Sequence, residues 1–253
     1  MGRRVLVTAG AAGIGLAIAD AFLAAGYRVH ICDIDQNGLD QACAGRPGLT
    51  GSLADVGSAT DVARLAQGID SAMGGLDAIV NNAGIGGSRC PVDEITDEAW
   101  DAVMRVNVTG MFNIIRAFTP GLKTQGSGSI VNISTTSTRT GLPNRLPYVV
   151  SKAAVEGMTK TLARELGPFN IRCNSLLPGS IENERGRTLM QEKAQREGIS
   201  YEQVLQARLG FISMRTRIEP REIGEAAVFL ASDGARHITG QQISVCGNVE
   251  WEG

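Results

Sequence analysis

Histidine is almost missing from this chain: His30 and His237 are the only two in 253 residues, and they lie far apart. That argues against a histidine-rich metal centre and against a Ser-His-Asp hydrolase. The five cysteines, at positions 32, 43, 90, 173 and 246, are odd in number, scattered and without a C-x-x-C pair. They read as small buried hydrophobes of a reducing compartment, not as a disulfide framework. No stretch of 18 uninterrupted apolar residues occurs, so no membrane-spanning helix is expected. Arg3 and Arg4 ahead of an Ala/Gly-rich stretch imitate a signal peptide, but Asp20 interrupts it and Thr8 with its glycines reads as a turn. Leu6 stands where an N-myristoylation motif needs a hydroxyl. A net charge of -2 and a pI of about 5.8 argue against a dedicated nucleic-acid binder. The expected location is the cytoplasm.

Glycine, by contrast, is abundant, with 32 residues and no Gly-X-Y period, beside eight prolines. Such a chain needs many tight turns or close backbone approaches and is neither collagenous nor disordered. Short apolar runs at 4–8, 28–33, 49–55, 76–81, 129–134, 170–176 and 241–246 predict strands. Helical patterns at 14–25, 59–73, 97–116, 147–166 and 220–232 lie between them. Repeated βαβ order implies an α/β fold, a Rossmann-like doubly wound parallel sheet of about seven strands. With no linker-like tract, the chain is expected to form a single domain over 1–253. The charged, helical stretch 180–218 breaks the rhythm and falls at the carboxyl end of a late strand, where doubly wound sheets bind ligands.

Thr8-Ala9-Gly10-Ala11-Ala12-Gly13-Ile14-Gly15 joins a predicted strand to a predicted helix. Glycines there let the backbone turn sharply and approach a pyrophosphate resting on the helix N-terminus. Gly10, Ala12, Gly13 and Ile14 are therefore cofactor-binding candidates; a plain strand–helix turn is the alternative. Asp33 ends the next strand, 18 positions after Gly15, where a carboxylate can accept hydrogen bonds from an adenosine ribose. A 2′-phosphate about 4 Å away would be repelled by roughly 4 kcal/mol at an effective dielectric near 20. No Arg or Lys in 9–12 or just after Asp33 offsets this, so NAD is expected over NADP. A loop-initiating acid that caps the following turn is the other reading of Asp33.

Tyr148 and Lys152 stand four apart on the 147–166 helix and share one face, in a chain with three Tyr and four Lys beside 20 Arg. An ordinary phenol, with a pKa near 10, is a poor base at neutral pH, and a neighbouring ammonium stabilises its phenolate. A surface Tyr stacked on a lysine stem is the competing reading.

Together these motifs resemble the short-chain dehydrogenase/reductase family, in its single-domain branch, over essentially the whole chain. The likeness rests on the Thr8–Gly15 turn, Asp55-Val56, Asn81-Asn82-Ala83-Gly84 and Val106-Asn107-Val108-Thr109-Gly110. It extends through Ile130-Val131-Asn132-Ile133-Ser134, Tyr148-x-x-Ser151-Lys152, Pro178-Gly179 and Ile238-Thr239-Gly240-Gln241. The resemblance implies that Tyr148 is the general acid/base, that Lys152 lowers its pKa and holds the nicotinamide ribose, and that Asn107 positions a water behind Lys152. It implies that Asp55 and Val56 flank the adenine, that Asn82, Ala83 and Gly84 line the cofactor, and that Pro178, Gly179 and Ile181 meet its nicotinamide side. It also implies a homodimer or homotetramer with the last strand at an interface.

Three positions depart from the family pattern. Ala9 replaces the first Gly of T-G-x-x-x-G-x-G, and Gly10 is expected to supply the lost freedom. Thr135 occupies the place of the substrate-orienting Ser, 13 residues before Tyr148, with Ser134 and Ser137 as alternatives. Val245-Cys246-Gly247-Asn248 stands where the family often has Val-Asp-Gly-Gly.

The expected function is NAD-dependent hydride transfer between nicotinamide and a small-molecule secondary alcohol or ketone. Arg145, three residues before Tyr148, is the candidate first contact for a small anionic or polar substrate, with Arg139, Arg185 and Arg187 as further candidates. Surface or subunit salt bridges are the plainer reading of these arginines. A β-ketoacyl carrier-protein reductase is the alternative enzyme, disfavoured by Asp33 because such reductases usually prefer NADPH. A nucleotide-sensing protein without turnover is the alternative outside enzymes, disfavoured by the intact Asn107, Tyr148 and Lys152.

Overall fold

In a computed structural model of the chain, residues 2–249 are described, without the side chain of Arg185, which lies outside the described residues. The strands are β1 (Arg4–Thr8), β2 (Arg28–Asp33), β3 (Leu49–Leu53), β4 (Ala78–Asn81), β5 (Gly128–Ile133), β6 (Ile171–Pro178) and β7 (Gln242–Val245). They form one parallel sheet in the order β3-β2-β1-β4-β5-β6-β7. The helices are α1 (Gly13–Ala24), α2 (Gln36–Cys43), α3 (Ala59–Met73), α4 (Asp97–Met104), α5 (Met111–Gln125), α6 (Ser137–Thr140), α7 (Leu146–Leu166), α8 (Glu184–Glu197), α9 (Tyr201–Gly210) and α10 (Pro220–Ala231).

The central strands are apolar without interruption because both of their faces are covered. Along β1, Val5 and Val7 join the core under α1 and α10, whereas Leu6 joins the core under α3, α5 and α7. The same alternation places Val80 and Val131 on the first face and Ile79 and Ile130 on the second. Each such fully buried side chain contributes roughly 1.5–3 kcal/mol relative to exposure. Two winding directions meet between β1 and β4, which opens a crevice at their carboxyl ends.

The helix expected over 97–116 is instead α4, a π-helical turn at Arg105–Gly110, and α5, which continues to Gln125. Helix α2 has no counterpart in the sequence reading, because its polar composition and Gly38 mask a helix that buries only Leu39 and Ala42. The charged stretch 180–218 contains α8 and α9, packed on each other through Met190, Ala194 and Val204.

His30 is a structural residue. Its ring lies on β2, with Nδ1 2.7 Å from Thr50 Oγ1 and Nε2 3.0 Å from Ser52 Oγ, both on β3. Burial pushes its pKa down to about 4, so the folded protein holds it neutral. The unfolded chain takes up this proton near pH 6.5, so the stabilisation is complete above that pH and is lost as pH falls toward 4. The total is on the order of 3 kcal/mol. Denaturant melts of wild type and His30→Gln at pH 7, 6, 5 and 4.5 check this. The wild-type stability should fall more steeply than that of the variant, and equal slopes would contradict it.

Candidate active site

The turn between β1 and α1 forms one wall of a cleft of about 1360 Å³ at the carboxyl ends of the strands. That volume exceeds the 300–1,000 Å³ usual for a single small ligand. Ala12, Gly13 and Ile14 line it at the α1 N-terminus, where no side chain caps the helix and no acidic residue stands in the first turn. The first amides and the helix dipole are thus left to an anion from outside the helix. Gly10 does not border the cleft. It is buried below it, where an added Cβ would lie 2.5 Å from Ile31 Cγ2.

Gly10 does not take over the freedom lost at Ala9, as the sequence suggested. Ala9 itself adopts the left-handed conformation, with φ at +50°, and Gly13 does so at +56°. Helix α1 sits so close to this turn that a Cβ on Gly15 would lie 1.9 Å from the Ala9 carbonyl oxygen. Asn82 fastens the turn to β4 by donating to the carbonyls of Thr8 and Ala9, both at 3.1 Å. In return, Thr8 Oγ1 accepts from the amides of Asn82 and Ala83 at 3.0 and 2.9 Å.

Asp33 lines the cleft beside this turn, and its carboxylate accepts from backbone amides, as the turn-capping reading expects. Oδ2 accepts from the Ala11 amide at 3.1 Å, while Oδ1 accepts from Ile34 and Asp35 at 2.8 and 3.3 Å. Asn82 and Gly84 border the same cleft, as do Pro178, Gly179 and Ile181 on its opposite side. Asp55, Val56 and Ala83 do not. The Asp55 carboxylate is engaged by Arg105 at 2.7 Å and the Gly57 amide at 2.8 Å, and Val56 packs against Gly110. Gly179 comes close to Cys246, whose Cβ would lie 2.7 Å from a Cβ at Gly179, so the absence of a side chain at 179 permits this contact.

Tyr148 and Lys152 both reach the cleft from α7. Lys152 is buried, and its ammonium donates to the Ile133 carbonyl at the end of β5 at 2.7 Å. Burial pushes its pKa down to about 8. The opposite wall leaves room for this group because residue 84 is glycine: a Cβ there would lie 3.2 Å from both Lys152 Nζ and Asn107 Oδ1. Asn107 is fully buried in the π-helical turn, a geometry often found at functional sites. Its Oδ1 accepts from the Ile85 amide at 2.8 Å, and its Nδ2 donates to the Ile85 carbonyl at 3.0 Å and Ser151 Oγ at 2.9 Å. The Asn107 side chain therefore clamps the loop after β4 to α7.

Hydroxyl groups cluster opposite Tyr148. Ser134 Oγ donates to Glu156 Oε1 at 2.8 Å, and Thr138 Oγ1 donates to the same oxygen at 2.6 Å. Thr135 and Ser137 line the cleft with their hydroxyls 3.3 Å apart. Arg145 is buried at the start of α7. It donates to the Gly86 carbonyl at 2.8 Å, and its guanidinium lies 5.1 Å from the centre of the Tyr148 ring. Arg139 instead ties α6 to β7 through Ser244 and Gln242, and Arg187 pairs with Glu182 at 2.6 Å on the surface.

The sequence reading missed the Glu156 cluster and the Asn81–Asn132–Thr159 chain of hydrogen bonds, at 2.9 Å each, that fixes α7 against β4 and β5. It also missed Arg89, Arg208 and Arg217, which line the same cleft. Their positions 89, 208 and 217 lie on two distant loops and α9, so no spacing in the sequence links them.

A family model described as "Enoyl-(Acyl carrier protein) reductase" matches residues 9–248. Dehydrogenase/reductase SDR family member 4 of Homo sapiens is 36% identical over 246 residues, which are 96% of this chain and 85% of that protein. The 3-oxoacyl-[acyl-carrier-protein] reductase FabG of Thermotoga maritima is 35% identical over 252 residues, 98% of each chain. An actinorhodin polyketide ketoreductase solved with NADPH superposes with a TM-score of 0.91 at 30% identity, over 97% of this chain and 96% of its own. An NAD+-bound xylitol dehydrogenase reaches 0.91 at 28% identity, over 98% of both chains.

The left-handed Ala9 costs about 1–2 kcal/mol that glycine avoids, less the larger entropy glycine loses on folding. Ala9→Gly should therefore stabilise the protein by about 0.5–1 kcal/mol, a rise of a few degrees in Tm. A thermal melt showing no gain, or a loss, would contradict the strain assigned to this turn.

Proposed function

The chain belongs to the short-chain dehydrogenase/reductase family, and from that premise we propose that it is an NAD-preferring dehydrogenase of small, polar secondary alcohols and the corresponding ketones. The observation that carries this reading is the buried Lys152 ammonium beside Tyr148 in a cleft that is also bordered by an uncapped helix N-terminus. The residues present suit a dinucleotide. The amides of Ala12, Gly13 and Ile14 would receive its pyrophosphate, Asp33 its adenosine ribose, and Lys152 its nicotinamide ribose. When bound, the nicotinamide would supply the acceptor or donor for the hydride.

Tyr148 handles the proton. It takes the hydroxyl proton as an alcohol is oxidised and returns it to the oxygen as a ketone is reduced. Positive charge from Lys152 and Arg145 stabilises the charge that develops on the phenol oxygen. Arg145 also contributes positive charge at the substrate end and steadies the ring by joining α7 to the loop after β4. The Thr135 hydroxyl, close to that of Ser137, holds the substrate oxygen. Ser134 is committed to Glu156 and is not assigned this task. Asp33 supports NAD over NADP, because a 2′-phosphate would have to sit against its carboxylate. A homodimer or homotetramer with Gln242–Val245 near the subunit contact agrees with this assignment. The relatedness to FabG favours a second reading, reduction of a β-ketoacyl carrier protein, and Asp33 weighs against it for the NADPH such reductases prefer.

An absorbance screen at the NADH band, with NAD and NADP across secondary alcohols, sugar alcohols and hydroxy acids, tests this proposal. Turnover should appear with NAD, and Tyr148→Phe should lose a hundredfold or more in kcat while still binding NADH. A clear NADP preference, or turnover that survives Tyr148→Phe, would contradict it.

A further inference from the structure

The substrate half of the cleft carries positive charge that the proton-transfer chemistry does not use. After Gly179, residues 180–182 run beside residues 217–218. The Ser180 carbonyl accepts from the Ile218 amide at 2.9 Å, and the Ile218 carbonyl accepts from Glu182 at 2.8 Å. This pairing places Arg217 under the wall of the cleft, with its side chain only 6% exposed. Arg217 is bonded to Glu182 and to the Ile181 carbonyl, yet its buried Nε has no partner among the described residues. The Glu182 carboxylate is shared with Arg187, so it balances only one of two guanidinium groups.

Arg208, on α9, lines the same region. Ser180 Oγ accepts from its Nε at 2.8 Å, which fixes the plane of the guanidinium. Its two terminal nitrogens make no hydrogen bond or ion pair among the described residues. Across the cleft, Arg89 on the loop after β4 also makes none, and no carboxylate pairs with either. Burial first, and then the like charges of Arg217 and Arg89, push the Arg208 pKa down from its ordinary value. Three guanidinium groups so arranged repel one another unless an anion lies among them.

We infer that Arg208 and Arg89 form the seat for an anionic oxygen group of the substrate, a carboxylate or a phosphate, with Arg217 as the buried positioning residue behind them. A guanidinium held by its Nε presents its terminal N–H groups as a fork, the geometry that grips two oxygens at once. The substrate class narrows to small hydroxy or oxo acids or phosphate esters whose carbinol carbon reaches Tyr148 while the anion meets Arg208. This assignment rests on the dehydrogenase reading, and it moves the expected anion contact from Arg145 to Arg208 and Arg89.

Thermal shifts with sodium malonate, sodium phosphate or sodium chloride at equal ionic strength test it, on the protein alone and with saturating NADH. NADH binding by wild type, followed by fluorescence, is measured first; its absence defeats the dehydrogenase reading and leaves the anion titration on the protein alone to be judged separately. Malonate or phosphate should raise the wild-type Tm above chloride, and the more effective of the two identifies the group as carboxylate or phosphate. Arg208→Gln and Arg89→Gln should each weaken that effect at least tenfold and leave NADH binding unchanged, with Arg208→Lys in between. The inference is overturned if neither anion stabilises wild type, if both variants respond as wild type does, or if the variants lose NADH binding as well.

Discussion

A lysine ammonium buried at the end of a central strand is the constraint around which this structure is arranged. Taking a cation out of water costs several kcal/mol unless the surroundings replace its hydration. Here the Ile133 carbonyl supplies one hydrogen bond to Lys152 Nζ, and the glycine at position 84 leaves space beside it. Holding that space open requires the loop after β4 to stay in place, which is the task of Asn107 in its π-helical turn. Helix α7 must likewise keep its rotation about β5, and the Asn132–Thr159 bond fixes it there. The same rotation presents Tyr148 to the cleft, so the fold that buries the lysine also aims the phenol.

The cleft is electrically uneven although the chain as a whole is nearly neutral. Asp33 gives one part a negative edge, the α1 N-terminus beside it adds a partial positive charge, and Arg89, Arg145, Arg208 and Arg217 outnumber Glu184 and Glu192 along the rest of the lining. Such a gradient orders a long, charged ligand along the cleft before close contacts form. It also explains why so many of the 20 arginines gather where the chain departs from regular βαβ order. Helices α8 and α9 have a small core of their own and carry few contacts to the sheet, so their charged face is free to serve ligand recognition.

The sheet, most of its helices and the Tyr148–Lys152 pair were legible in the sequence, because each is encoded by short-range periodicity or by residues one helical turn apart. The strand–turn–helix around Gly13 was legible for the same reason, but the assignment of freedom to Gly10 was not correct. The glycine at 10 answers a contact with Ile31 on another strand, and a single sequence does not reveal which neighbour a residue will meet. Helix α2 was hidden because a polar surface helix has little periodicity. The π-helical turn and the grouping of Arg89, Arg208 and Arg217 were hidden because both depend on tertiary packing. Ser134 illustrates the limit at the scale of one hydroxyl: Ser134, Thr135 and Ser137 all border the cleft, and only the fold shows that the Ser134 hydroxyl is engaged by Glu156, 22 residues away.

The central claim is that Lys152 is a desolvated cation held ready beside Tyr148, and its own titration tests this most directly. With only four lysines in the chain, side-chain NMR resonances of each can be followed against pH in the cofactor-free protein. One resonance, absent in Lys152→Met, should titrate near 8, well below the ordinary lysine value of about 10.4. If Lys152 titrates together with the other three lysines, the ammonium is solvated and the account of this site is wrong.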